Sequence, residues 1–117
     1  NNGFGDRGLH ALLPLITSSM PALTHLSLND NELGDAGGAL AVEQLLVSGV
    51  IPLVEEFWLS GNQLAARAAR ALIKALEGGA GPKLRNLWLR DNPLLDAAER
   101  DALTVACKGR KVFCQLS

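Results

Sequence analysis

Leu23-Thr-His-Leu26-Ser-Leu28-Asn-Asp-Asn31-Glu-Leu33 recurs as Val54-Glu-Glu-Phe57-Trp-Leu59-Ser-Gly-Asn62-Gln-Leu64 and again as Leu84-Arg-Asn-Leu87-Trp-Leu89-Arg-Asp-Asn92-Pro-Leu94. In each copy apolar residues hold the first, fourth, sixth and eleventh places, and Asn holds the ninth. The copies start at positions 23, 54 and 84, a period of 30 to 31 residues. Every template position is filled, and self-similarity at such a period marks a stacked-repeat architecture. Around the fourth and sixth places apolar and polar residues alternate, as in a half-buried strand.

Outward from these stretches the periodicity changes to three and four, the spacing of one apolar stripe on a helix. The expected helices run from Asp6 to about Ser18 (Leu9, Leu12, Leu13, Ile16), from Asp35 to about Val47 (Ala36, Leu40, Leu45), from Ala65 to about Glu77 (Ala68, Leu72, Ile73, Leu76) and from Asp96 to about Lys108 (Ala98, Ala102, Leu103, Ala106). Asp6, Asp35 and Asp96 are candidate N-caps, and Asp96-Ala-Ala-Glu99 has the form of a capping box. Gly49, Gly78 and Gly109 are candidate stop signals. Asn2-Gly-Phe4-Gly-Asp-Arg-Gly8 matches Asn31 to Gly37, so the chain opens inside a repeat. Lys111-Val-Phe-Cys-Gln-Leu116 reads as a closing strand. The expected division is one domain over 1–117: a half repeat 1–22, repeats 23–53, 54–83 and 84–110, and a closing strand 111–117. With no initiator Met, the chain is expected to be the C-terminal fragment of a longer array.

A strand with one apolar face is not stable alone, so neighbouring repeats must stack and share a core. Strand, helix, strand in one sheet gives parallel strands joined by right-handed crossovers. The pattern resembles the leucine-rich repeat, L-x-x-L-x-L-x-x-N-x-L, and covers nearly the whole chain. The long period with a true helix is similar to the intracellular, ribonuclease-inhibitor-like subfamily. The resemblance implies an α/β fold: a curved solenoid with parallel strands on the concave face and helices on the convex face. It also implies that Asn31, Asn62 and Asn92 point inward and bond neighbouring backbone as a structural ladder.

Alternation places His25, Ser27 and Asn29, then Glu56, Trp58 and Ser60, then Asn86, Trp88 and Arg90 on the outer face of the sheet. Both tryptophans of the chain occupy the same place in successive repeats, and parallel strands are about 4.8 Å apart. They are expected side by side, with His25, Glu56, Asn86 and Arg90 around them. Trp and Arg are enriched at binding hot spots, so these six residues form the candidate surface for a protein partner; the alternative is that the indoles only cover the sheet. The resemblance adds that this family tends to bind proteins with such a face.

Composition narrows the remaining classes. The 117 residues are 48% hydrophobic with 11 Lys+Arg against 12 Asp+Glu, net −1. Non-specific nucleic-acid binding has no electrostatic engine at that balance. No apolar run approaches the ~20 residues of a membrane span. No phosphate loop, H-E-x-x-H or C-x-x-C is present. Gly78-Gly-Ala-Gly81 leads into a strand, so it is a helix stop and not a phosphate cradle. His25, Ser27 and Asp30 lie on an open face with no oxyanion pocket. Neither an enzyme nor a cofactor or metal is expected. Cys107 and Cys114 read as reduced thiols of a cytoplasmic protein, with a disulfide as the alternative.

The reading is therefore a non-enzymatic protein-interaction module. Two alternatives stay open: a structural subunit of a larger assembly, or a regulatory domain such as those of nucleotide-binding leucine-rich-repeat receptors or Ran GTPase-activating proteins. An apolar N-terminal edge around Leu12, Leu26 and Leu28 is expected to favour self-association. Deleting 111–117 is expected to lower the melting temperature; an unchanged value would contradict the cap.

Overall fold

A computed structural model describes residues 5, 7–9, 11, 13–14, 23–49 and 52–116. Strands β1 (His25–Ser27), β2 (Glu56–Trp58), β3 (Asn86–Trp88) and β4 (Phe113–Gln115) form one parallel sheet in the order β1-β2-β3-β4. Three helices return the chain between them: α1 (Asp35–Ala41), running on as a π-helical stretch Val42–Val47, α2 (Ala66–Glu77) and α3 (Ala97–Arg110). Gly5, Arg7 to Leu9, Ala11, Leu13 and Pro14 are also helical. The expected cap Asp6 and the stripe residues Leu12 and Ile16 lie outside the described residues.

The core is the repeat pattern made solid. Leu26 and Leu28, Phe57 and Leu59, and Leu87 and Leu89 point from the sheet into one apolar cluster with Leu45, Leu72, Leu76 and Leu103. Register is one-to-one: Leu26 faces Phe57, and Phe57 faces Leu87. A slip of one residue would turn this apolar set to the other face, so burial fixes the pairing.

Several sequence expectations are corrected. Leu26 and Leu28 are buried, not exposed, because helical Leu9 and Leu13 join the core beside them and Gly5 N–H donates to the Asn31 carbonyl at 2.6 Å. Leu94 is exposed and Leu95 is buried in its stead. The third turn is one residue longer than the others before its helix begins, which moves the inward position past Pro93. The stripe of α3 is Leu103 and Cys107, with Ala98 and Ala102 exposed, and Ala36 is exposed on α1. Gly109 does not stop α3; the helix runs to Arg110 and ends on Lys111, whose φ of 57° is left-handed.

The caps divide two ways. Asp96 closes its own helix as a capping box with Glu99, the two reciprocal bonds measuring 2.8 and 3.0 Å. Asp35 instead caps the next repeat. The N-cap of α2 is Ala65, which has no polar side chain, and the Asp35 carboxylate accepts from Ala65 N (2.9 Å), Arg67 N (2.9 Å) and Ala68 N (2.7 Å). Burial pushes this carboxyl up, but the three N–H donors and the Arg67 charge outweigh it and hold it below its ordinary 3.8. Asp35→Ala should therefore cost about 0.5–2 kcal/mol, and Asp35→Asn less. Because the folded-state value is depressed, the contribution is present above pH 3.8 and fades as pH falls through that lower value. Urea titrations of wild type and Asp35→Ala should converge in acid; a constant gap down to the lowest pH would contradict this.

Candidate functional site

The nine side chains expected on the outer face of the sheet are all partly or largely exposed, while their inward neighbours are buried. Two rows cross the strands. His25, Glu56, Asn86 and Phe113 are in register, and so are Ser27, Trp58, Trp88 and Gln115. The structure thus brings His25, Glu56, Trp58, Asn86 and Trp88 together, with exposed Arg90 in the turn two residues beyond Trp88.

The indoles of Trp58 and Trp88 lie with ring centroids 5.4 Å apart and planes tilted by 48°. That is a favourable aromatic arrangement. Their polar handles differ. Trp58 Nε1–H donates to Glu56 Oε1 at 3.0 Å, and the other carboxylate oxygen of Glu56 is 3.4 Å from His25 Nε2. Glu56 is held between them, its side chain 18% exposed against 58% for His25. Trp88 Nε1, in contrast, is buried with no hydrogen-bond partner. An unmade bond of this kind costs about 1–3 kcal/mol.

Beside this face the backbone is held by side chains of adjoining repeats. Asn29 Oδ1 accepts from Ser60 N at 2.7 Å, and Ser60 Oγ accepts from Arg90 N at 3.0 Å. Asn31, Asn62 and Asn92 are buried, each 3% exposed. Asn62 Oδ1 accepts from Asn31 N and Leu33 N (3.1 and 3.0 Å), and its Nδ2 donates to the carbonyls of Leu28 and Leu59, both at 3.0 Å. Asn92 repeats the pattern one repeat on, with Leu64 N, Leu59 O and Leu89 O. These amides cross-link successive turns and reach no solvent. The chain then turns at Asp30, Gly61 and Asp91, all with φ between 55° and 70°. A side chain at Gly61 would meet the Asp30 carboxylate, which occupies that space.

Three residues were not singled out from the sequence. Phe113, 63% exposed, extends the row of His25, Glu56 and Asn86; the alternation that placed the other strands would have found it. Gln115 follows from the same count. Arg110 reaches back to accept no proton but to donate to the carbonyls of Leu76, Ala80 and Gly81 at 2.8–3.2 Å, closing the end of α2. A cavity of about 700 Å³ lies elsewhere, between the ends of α1 and α2, lined by Leu46, Val47, Ala71, Lys74 and Ala75. It gathers no set of groups suited to catalysis. Among the described residues no three His, Cys, Asp or Glu side chains could hold a metal, and no helix is long and apolar enough to cross a membrane.

Comparison with known proteins agrees with this geometry. A family model described as "Leucine Rich repeat" matches residues 19–40. The solved structure titled "Leiomodin-1 Actin-Binding Site 2 (ABS2)" is similar at a TM-score of 0.71 and 18% identity, over 91% of this chain. The chain spans 58% of the length of that structure. No curated protein sequence matches. At this identity the likeness speaks for the fold, and with the parallel sheet it defines an α/β leucine-rich-repeat architecture.

Proposed function

We propose that the chain is a non-enzymatic module that binds a protein partner through the outer face of its sheet. The observation that carries this is the pair of indoles, side by side and partly exposed on the outer face of the sheet, on a surface that also exposes Phe113 and Arg90. Trp and Arg are the residue types enriched at binding hot spots, and two adjoining indoles left on an open face offer a large apolar contact. The partner's chemistry follows: apolar groups for the exposed parts of the indoles and a carboxylate for Arg90.

The finer reading belongs to the same proposal. The array is a curved, ribonuclease-inhibitor-like solenoid with this face on its concave side. It is divided as 1–22, 23–53, 54–83, 84–110 and 111–117, and works as an interaction scaffold in the cytoplasm. The two free thiols support that setting, and the charge balance argues against nucleic acid. The other edge of β1, opposite β2, is where a further strand or a second copy would add.

The test is a random-peptide display selection against the chain, with actin as one defined protein probe. Trp58→Ala with Trp88→Ala should weaken selected binders more than about tenfold, as loss of hot-spot residues does, with circular dichroism unchanged. Binders that hold the double variant as tightly as the wild type would place recognition elsewhere.

A further inference from the structure

We propose that Cys107 and Cys114 form a dithiol that closes reversibly into a disulfide on exchange with a low-molecular-weight disulfide, fastening β4 to the end of α3. Both cysteines are free, Cys107 buried near the end of α3 and Cys114 half-buried in β4. Both side chains belong to the same core, and each thiol acts on the ionisation of the other. Backbone geometry explains the meeting. Lys111 turns the chain in the left-handed region, and Val112 N–H donates to the Cys107 carbonyl at 2.9 Å. Cys114, opposite Leu87 in the sheet, then points inward onto the helix it has just left. Two thiols that face one core across a short turn need no long backbone movement to bond.

The exchange balances as follows. Local opening of β4 at the edge of the sheet brings the Cys114 sulfur to solvent, where it loses its proton to water and attacks the S–S bond of the reagent, releasing one reagent thiol. Cys107 then attacks the mixed disulfide at the Cys114 sulfur and expels the second. Two protein thiols are oxidised and one reagent disulfide is reduced to two thiols. The Cys114 thiol lowers the Cys107 thiol, burial opposes it, and the Arg110 charge assists, which suits Cys107 to the resolving step. The Cys107 thiol and burial raise Cys114, so the first step is the slow one and quickens with pH. No strand beyond β4 is paired with it among the described residues, and short edge elements open locally. The strand carries Phe113 and Gln115, so closure fixes one end of the outer face whatever that face binds.

The reduced 117-residue chain incubated with oxidised glutathione tests this by intact mass and tryptic mapping. Lys108, Arg110 and Lys111 lie between the two cysteines, so trypsin leaves peptides joined only by the bridge. The expected result is loss of both thiols together, a mass lower by two hydrogens, one linked peptide pair, and reversal by dithiothreitol. Cys107→Ala should stop at a glutathione adduct on Cys114. Wild-type chain that stops at glutathione adducts, couples to a second chain, or keeps both thiols would overturn the proposal.

Discussion

Asn62→Ala is expected to lower the free energy of unfolding by roughly 3–5 kcal/mol, because each buried group left unpaired costs about 1–3 kcal/mol. The change strips partners from Asn31 N, Leu33 N and Leu28 O at once, while Leu59 O keeps its bond from Asn92 Nδ2. Some of these groups will relax toward other donors or water, so the total stays below the simple sum. A domain of this size has about 5–15 kcal/mol in all, so the variant should unfold at far lower urea and give a broad or displaced melting transition. Asn86→Ala is the control. It removes the same residue type from the outer face, where a substitution stays within about 0.5 kcal/mol. Urea unfolding followed by circular dichroism separates them. Equal, small effects would mean that the inward amides do not hold the repeats together.

Phe57→Ala should be comparable, about 3–5 kcal/mol. Phe57 is the largest fully buried side chain, and it sits in β2 between Leu26 of β1 and Leu87 of β3. A cavity there loosens three strands together. Phe57→Leu should cost much less, since Leu already fills the same place in both neighbouring repeats and the site can close partly around it. Thermal melts of the two variants should rank wild type, Phe57→Leu, Phe57→Ala. Equal Tm values for the two variants would show that the core repacks freely and that register is held by something else.

The parts of the fold that repeat were legible in the sequence, and the parts that join repeats were not. Spacing alone placed Leu26, Phe57 and Leu87 inward and His25, Trp58 and Trp88 outward, because strand alternation depends only on position. It also anticipated α2 to within a residue of its observed start. The reach of Asp35 to the next helix was illegible, since an Asp before an apolar stripe looks like a cap for its own helix. The missing polar residue at Ala65 was the available clue. Leu94 failed for a similar reason: one extra residue beside Pro93 shifts the inward position, and a fixed template has no room for it. The contact between Cys107 and Cys114 depends on the turn at Lys111 and not on any period. At the candidate site, the sequence supplied the paired indoles but not the bond from Trp58 Nε1–H to Glu56, which depends on where that ring settles.

The most direct measurement uses the indoles themselves. The chain has two Trp and no Tyr, and both Trp lie on the outer face of the sheet, so intrinsic fluorescence reports on that surface alone. Titration with a selected peptide lacking Trp and Tyr should change the emission saturably, with the midpoint matching the affinity measured by calorimetry. Calorimetric binding with the emission unmoved through saturation would contradict recognition at Trp58 and Trp88.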